Sequence, residues 1–166
     1  VAKQEGCAIE YAPVLLAGLL QANGTKGPAE IPTKRNFVFR DILRACQLEG
    51  LSPKFPPAHP FNPLLALRLA TAVEQPQRGA LVDCLFDSAW NQGRDISDLS
   101  VLEECANSLQ LPWKILQNAI QSEPIKLALR QETEAAVKRG VFGVPTFEIG
   151  NELFWGHDRL EQVAAY

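Results

Sequence analysis

The sequence predicts an α/β protein in which a series of helices separates an N-terminal strand from a C-terminal β-hairpin. Two observations support this prediction. Apolar residues recur at steps of three and four through the middle of the chain, as on the buried face of a helix. Short segments with strand-like character, at residues 8–12 and 145–155, flank that region. The predicted order is therefore strand, several helices, two strands and a final helix.

The first third of the chain is predicted to contain one strand and one helix. Residues 8–12 alternate small or apolar with polar side chains, which favours a short strand. Residues 21–32 carry Asn-Gly and Gly-Pro pairs and are predicted to be an exposed loop. From Lys34 the pattern is helical, and Gly50 is suited to end that helix. Five prolines within residues 51–63 predict an irregular connection there.

Five further helices are predicted before the hairpin. They are Leu64 to Glu74, Gly79 to Gln92, a helix with a capping box formed by Ser100 and Glu103, a short helix opened by Pro112, and a helix with Pro124 in its first turn that ends at Gly140. Residues 145–149 and 152–155 are predicted as hairpin strands joined by a Gly-Asn turn. Asp158, followed by Glu161, predicts a capped final helix.

Composition narrows the classes of function. The chain has 166 residues and a net charge of −3, which suits one globular domain without a basic surface for nucleic acid. Its longest apolar run, residues 14–20, is too short to cross a bilayer, so no membrane association is expected. The four cysteines form no CxxC, which argues against both a redox dithiol and a zinc site. We expect buried, reduced thiols in a cytoplasmic protein with no bound metal.

One candidate binding site is predicted around the hairpin. A cis peptide bond at Val144-Pro145 would leave the backbone N–H and C=O of Val144 free to pair with an extended peptide, whereas a trans bond would make an ordinary loop. Gly156 precedes a helix start, where backbone amides bind anions. Asp158 is suited either to cap that helix or to accept a hydrogen bond from an amino group, and His157 is most simply an exposed histidine.

Eight segments in order along the chain resemble one family, the glutathione-dependent proteins that include 2-hydroxychromene-2-carboxylate isomerase and kappa-class glutathione transferase. The segments are residues 13–16 (PVLL), 28–35 (PAEIPTKR), 55–57 (FPP), 60–62 (PFN), 64–68 (LLALR), 91–96 (NQGRDI), 141–147 (VFGVPTF) and 154–160 (FWGHDRL). Together they span nearly the whole chain. The ordered set of eight segments indicates the family more specifically than any single segment does.

The resemblance implies a thioredoxin-like fold with an inserted all-helical domain. Residues 1–33 and 124–166 would form the thioredoxin-like portion, and residues 34–123 the inserted helical domain. It also implies glutathione as cofactor, a small aromatic substrate and a possible homodimer. Dimerisation is common in the family, although no feature of the sequence indicates it independently.

The resemblance also assigns residues to a glutathione site. Val144 would offer its backbone to the cysteinyl part of glutathione, with Pro145 in cis. The γ-glutamyl end would be held by three consecutive residues, namely Gly156, His157 and Asp158. Lys34 would lie near the glycyl carboxylate, or else be a solvated lysine at a helix start. Asn62 would line the substrate cavity, or else cap a helix.

The N-terminal β-α unit that carries the family's catalytic serine has no counterpart in the sequence. The family opens with a strand and a helix bearing an F-D-x-x-S-P-Y type motif, whose serine favours the glutathione thiolate, and Ser-Pro-Tyr occurs nowhere here. No catalytic residue is therefore assigned. Three interpretations stay open: a segment before Val1 is missing, it exists but is disordered, or the chain is a shortened form that completes its sheet with another chain.

Three functions follow from these expectations. The first is a glutathione-dependent isomerase of the 2-hydroxychromene-2-carboxylate isomerase type, acting on an intermediate of bacterial aromatic catabolism. The second is a DsbA-like thiol-disulfide oxidoreductase, which requires a CxxC motif. The third is a catalytically inactive truncated binding protein. An upstream Ser-Pro-Tyr would favour the first function, a CxxC the second, and a stop codon the third.

Overall fold

The computed structural model describes residues 8–166, which fold mainly into helices with one small sheet. The two strands are β1 (Thr146–Ile149) and β2 (Glu152–Trp155). The eight α-helices of the described residues are α1 (Leu16–Ala22), α2 (Pro32–Leu48), α3 (Leu64–Ala72), α4 (Gln77–Trp90), α5 (Leu99–Ser108), α6 (Trp113–Ala119), α7 (Glu123–Lys138) and α8 (Leu160–Ala165). Short 3₁₀ turns cover Pro28–Glu30 and His157–Arg159.

The main hydrophobic core lies among α3, α4, α5 and α6. Leu69, Leu81, Leu102 and Ile120 are completely buried in it. Removing such side chains from water is the dominant favourable contribution to folding. This part of the molecule therefore supplies most of the apolar burial in the described chain.

A second, smaller core joins α1 to α7 and the hairpin. Leu19, Ala136 and Val141 are buried there, with partly buried neighbours that include Leu153 of β2. The backbone N–H of Leu15 also donates to the Thr133 hydroxyl at 3.0 Å. The two cores are formed by different parts of the sequence. The domain boundaries at residues 33 and 123 remain a prediction.

The hairpin agrees with its prediction. Strands β1 and β2 are antiparallel, with Thr146 opposite Trp155 and Ile149 opposite Glu152. Gly150 has a φ of +61°, which a side-chain-bearing residue rarely adopts, and so suits the turn between the strands. A Gly-Asn turn between two short strand-like segments was therefore a sufficient signal for this element.

The strand predicted at residues 8–12 was wrong, because this segment has no regular secondary structure. A strand needs a neighbour for its backbone groups, and within residues 8–166 the only sheet is the hairpin. The Tyr11 carbonyl instead accepts hydrogen bonds from the side chains of Gln75 and Arg78, at 3.1 and 2.8 Å. Side chains of the helical region thus replace the sheet partner for this carbonyl.

Other differences concern helix ends. Helix α1 was not predicted, and it extends into the expected loop at residues 21–32. The cap of α5 is Asp98, whose carboxylate accepts from the Ser100 N–H at 2.9 Å, so the expected Ser100 cap was wrong. Helix α8 has no side-chain cap, so the expected Asp158 cap was wrong too.

Helix α2 is attached to the rest of the chain through an aromatic cluster, which comprises Phe39, Phe55, His59, Phe61 and Trp90. The Phe39 ring lies edge-on to those of Phe55 and His59, with centroids 5.1 and 5.3 Å away. None of the 17 residues of α2 is fully buried. The predicted irregular connection at 51–63 therefore also packs against this helix.

No helix within residues 8–166 combines the length and apolar character needed to cross a membrane.

Candidate functional site

The loop before β1 leaves one peptide unit free for an external partner. The Val144–Pro145 peptide bond is cis, as expected from the resemblance, and Val144 is 42% exposed. The carbonyl of Gly143 accepts from the Thr146 hydroxyl at 2.7 Å, and that of Pro145 accepts from the Gly156 N–H at 2.9 Å. Among residues 8–166, the N–H and C=O of Val144 itself have no hydrogen-bond partner.

Gly143 allows the end of β2 to close over this loop. It is buried, and a Cβ at this position would lie 2.6 Å from Nε1 of Trp155. The Trp155 ring also packs edge-on against Phe142, with centroids 4.9 Å apart. The indole thus fixes the backbone that leads into Val144, a role that the sequence analysis did not assign to either Gly143 or Trp155.

Gly156 and Asp158 lie together where β2 leads into α8. Gly156 has a φ of +105°, and Oδ1 of Asp158 occupies the space that a Cβ at position 156 would need. Only glycine tolerates both the backbone conformation and this close approach. Because the Gly156 N–H bonds to Pro145, this turn is tied directly to the loop that presents Val144.

The Asp158 carboxylate remains accessible. It pairs with the guanidinium of Arg159 at 2.8 Å, and its side chain is 59% exposed. Asp158 does not cap a helix. Its carboxylate therefore remains free for the other expected role, which is to accept a hydrogen bond from an amino group. Arg159 was not predicted to matter, although its position next to an acidic residue was a usable signal. His157 is exposed beside this pair.

Lys34 and Asn62 lie on other elements. Lys34 is exposed in the first turn of α2. The Asn62 Oδ1 accepts a hydrogen bond from the Leu64 N–H at 3.0 Å, just before the start of α3, whose cap position is Pro63. No hydrogen bond or ion pair within residues 8–166 connects either side chain to the hairpin. The structure therefore unites Val144, Pro145, Gly156, His157 and Asp158 around the hairpin, and places the other two apart.

The cysteines differ from their expected burial. Cys7 lies outside the described residues, and the other three are free thiols. Cys105 is buried as expected, but Cys46 and Cys84 are only partly buried, so the expectation was wrong for these two. Burial raises the pKa of the Cys105 thiol to about 11, with the Ser88 hydroxyl 3.3 Å away. A thiol held in its protonated form is a poor nucleophile.

No cluster of three or more histidine, cysteine, aspartate or glutamate side chains within residues 8–166 has the arrangement of a metal site. The groups that are accessible around the hairpin offer hydrogen bonding by a free peptide unit and charge pairing by a carboxylate.

Comparison with known proteins places the whole chain in one family. Residues 1–166 match the model of the DSBA-like thioredoxin domain. The 2-hydroxychromene-2-carboxylate isomerase of Pseudomonas putida is 30% identical over 96% of this chain and 79% of its own. Glutathione S-transferase kappa 1 of Rattus norvegicus is 31% identical over 94% of this chain and 76% of its own.

A solved structure of a 2-hydroxychromene-2-carboxylate isomerase has the same fold. It superposes with a TM-score of 0.90 at 26% sequence identity, covering 99% of this chain and 81% of the solved one. The resemblance read from the eight sequence segments is thereby confirmed, and the fold is the DsbA-like thioredoxin fold. The protein belongs to the DSBA-like thioredoxin domain family, as a homologue of 2-hydroxychromene-2-carboxylate isomerase and kappa-class glutathione transferase.

Proposed function

We propose that the protein is a glutathione-dependent isomerase of the 2-hydroxychromene-2-carboxylate isomerase type, acting on a small aromatic substrate. The observation that supports this most is the free peptide unit of Val144, flanked by carbonyls that are already hydrogen-bonded. An extended peptide can pair with such a unit through both its own N–H and its own C=O. Glutathione is a peptide of this kind.

The residues around the hairpin fit glutathione. Val144 would hold the cysteinyl backbone, and the accessible Asp158 carboxylate would accept hydrogen bonds from the γ-glutamyl ammonium. Gly156 would admit the γ-glutamyl carboxylate close to the backbone. In this proposal His157 flanks the γ-glutamyl group, Lys34 attracts the glycyl carboxylate, and Asn62 lines the substrate cavity.

Bound glutathione would supply a thiol nucleophile for reversible addition to a conjugated aromatic pyruvate, which allows bond rotation before elimination. The protein's part is to position that peptide, which lowers the entropic cost of the addition. The sequence contains no Ser-Pro-Tyr motif, so we assign no thiolate-stabilising side chain. The thiol-disulfide oxidoreductase alternative lacks the CxxC motif that it requires, and the protonated Cys105 thiol does not favour it.

The glutathione site can be tested by isothermal titration calorimetry with reduced glutathione. Asp158→Ala should raise the dissociation constant about tenfold or more, because a hydrogen bond to a charged group is lost. Glu161→Ala is a matched control, since it removes an exposed carboxylate of the adjacent helix and should leave the affinity unchanged. Equal affinities for these two variants would contradict the assignment.

A second variant separates ligand binding from the local ion pair. Arg159→Ala breaks the 2.8 Å pair with Asp158 but keeps the carboxylate, and should bind glutathione as well as the wild type or better. If Arg159→Ala weakens binding as much as Asp158→Ala, the ion pair rather than the carboxylate would be responsible. Conversion of 2-hydroxychromene-2-carboxylate, followed by absorbance with and without glutathione, then tests the reaction itself.

A further inference from the structure

A trough lies along α7, and none of the candidate glutathione residues lines it. Helices α1 and α3 both contact α7, and the surface between them encloses about 760 Å³. Small-molecule sites in proteins typically measure about 300–1,000 Å³. The trough includes residues from 123 to 138 of α7, and at 1.5 Å per residue this corresponds to roughly 22 Å of helix. It therefore has the length and volume for an elongated ligand.

The floor and walls of the trough are largely apolar. Leu15 of the α1 side, Leu64 of α3, and Leu129 and Val137 of α7 line it. Leu127, also in the lining, is 52% exposed. Apolar side chains gathered in one concavity, rather than scattered singly, are characteristic of a binding site.

The charged side chains of the trough are mainly basic. Four cations line it, which are Arg68, Lys126, Arg130 and Lys138, against two carboxylates, Glu123 and Glu134. The lining thus carries a formal charge of +2 (four minus two), in a chain whose net charge is −3. This local reversal of sign favours an anionic ligand.

Three of these cations, Arg68, Arg130 and Lys138, form no ion pair within the described residues. Lys126, in contrast, pairs with Glu123 at 2.7 Å. The Nε of Arg68 is moreover buried, and has no hydrogen-bond partner among the described residues. Buried donors are normally satisfied, so the Arg68 Nε needs an acceptor at this place. Carboxylates match the planar donor array of a guanidinium well.

We infer that the trough binds a monocarboxylate with an extended apolar chain, whose head pairs with Arg68 and Arg130 while its chain covers the leucines. Arg68 and Arg130 lie near the N-terminal half of α7, and the apolar lining continues along the helix past Leu129 to Val137. A fatty acid has both of the required parts, a carboxylate for the two arginines and an apolar chain for the leucines. This site does not depend on the proposed glutathione site, because the two have no residue in common.

Calorimetry with dodecanoate at micromolar concentration tests the inference, and dodecyltrimethylammonium serves as the probe with the same chain and opposite charge. Dodecanoate should bind saturably at one site, and the cation should not. Arg68→Gln should weaken dodecanoate binding about tenfold or more, as expected when a charged hydrogen bond is lost. Arg130→Gln should also weaken binding, and because Arg130 is exposed this variant should fold normally.

Arg40→Gln is the matched control, since it removes one exposed arginine of α2 outside the trough and should leave the affinity for dodecanoate unchanged. The inference is overturned if the cation binds as tightly as dodecanoate, if dodecanoate does not saturate, or if Arg68→Gln and Arg130→Gln have no more effect than Arg40→Gln. Glutathione affinity, measured on the same variants, should remain unchanged and so keeps the two sites distinguishable.

Discussion

The helical region α3 to α6 and the C-terminal hairpin differ in how deeply their side chains are buried. Within the described chain, the helical core contains 15 buried residues, whereas no residue of β1 or β2 is fully buried. The hairpin nevertheless presents the free peptide unit of Val144 and the exposed carboxylate of Asp158. The comparison teaches that the helical region provides stability, while the hairpin provides polar groups that are accessible to a ligand.

The largest effect should come from the helical core. Leu102→Ala removes a completely buried side chain and should lower the free energy of unfolding by about 2–5 kcal/mol. Ile115→Ala, on α6 but with a side chain that is 67% exposed, should change the free energy of unfolding by less than about 0.5 kcal/mol. Urea denaturation followed by circular dichroism measures both. Similar losses would mean that this region is not the main source of stability.

A smaller effect is expected at the hairpin. Gly143→Ala places a methyl group 2.6 Å from the Trp155 Nε1, and should cost about 1–3 kcal/mol through displacement of the indole. In a Trp155→Ala background the collision is gone, so the same substitution should cost much less. Urea denaturation of the single and double variants measures the difference. If the losses in free energy of unfolding of the two single variants sum to that of the double variant, the contact between Gly143 and Trp155 does not hold the loop.

The connection between α1 and α7 should contribute less again. Thr133→Val removes the acceptor for the Leu15 N–H at 3.0 Å, and should lower the free energy of unfolding by about 1 kcal/mol. Thr71→Val is the control, because the Thr71 hydroxyl only donates to the Leu67 carbonyl of its own helix, at 2.8 Å. Thermal unfolding of both variants gives the comparison. If Thr71→Val destabilises as much as Thr133→Val, the long-range bond has no special role.

The smallest effect concerns pH and the aromatic cluster. Burial, together with the nearby Arg35 charge, lowers the pKa of His59 below its ordinary value of 6.5. The unfolded chain therefore takes up this proton first as the pH falls, and the stability that depends on neutral His59 is lost between pH 6.5 and the lower folded-state pKa. His59→Phe should flatten that decline in denaturation experiments between pH 7 and 5. If the stability of His59→Phe declines as steeply with falling pH as that of the wild type, other titrating groups are responsible for the decline.

The sequence predicted those parts of the fold whose signals are local. The helices from residue 64 to 140 followed from periodicity and prolines, and the hairpin from its turn residues, because each pattern is satisfied within a short segment. The strand at residues 8–12 failed for the opposite reason. Alternation shows that a segment could pair, but the formation of a strand depends on a neighbour elsewhere in the chain.

The same distinction between local signals and long-range contacts applies to the candidate site. The resemblance implied the cis bond before Pro145, and the residue pattern placed the end of the hairpin at Gly156; both geometries are present. The close approach of Trp155 to Gly143 and the pairing of Arg159 with Asp158 were not predicted. Both contacts depend on how β2 folds back over the loop before β1. A list of segments along the chain does not contain that information.

Helix α2 has a consequence for the dynamics of the protein. Because none of its 17 residues is fully buried, and one aromatic cluster contributes much of its attachment, α2 can open while the helical core stays folded. Its amide protons should then exchange with deuterated solvent well before those of α5. Proteases that need an unfolded segment would cut first in this helix, and would leave the remaining core intact.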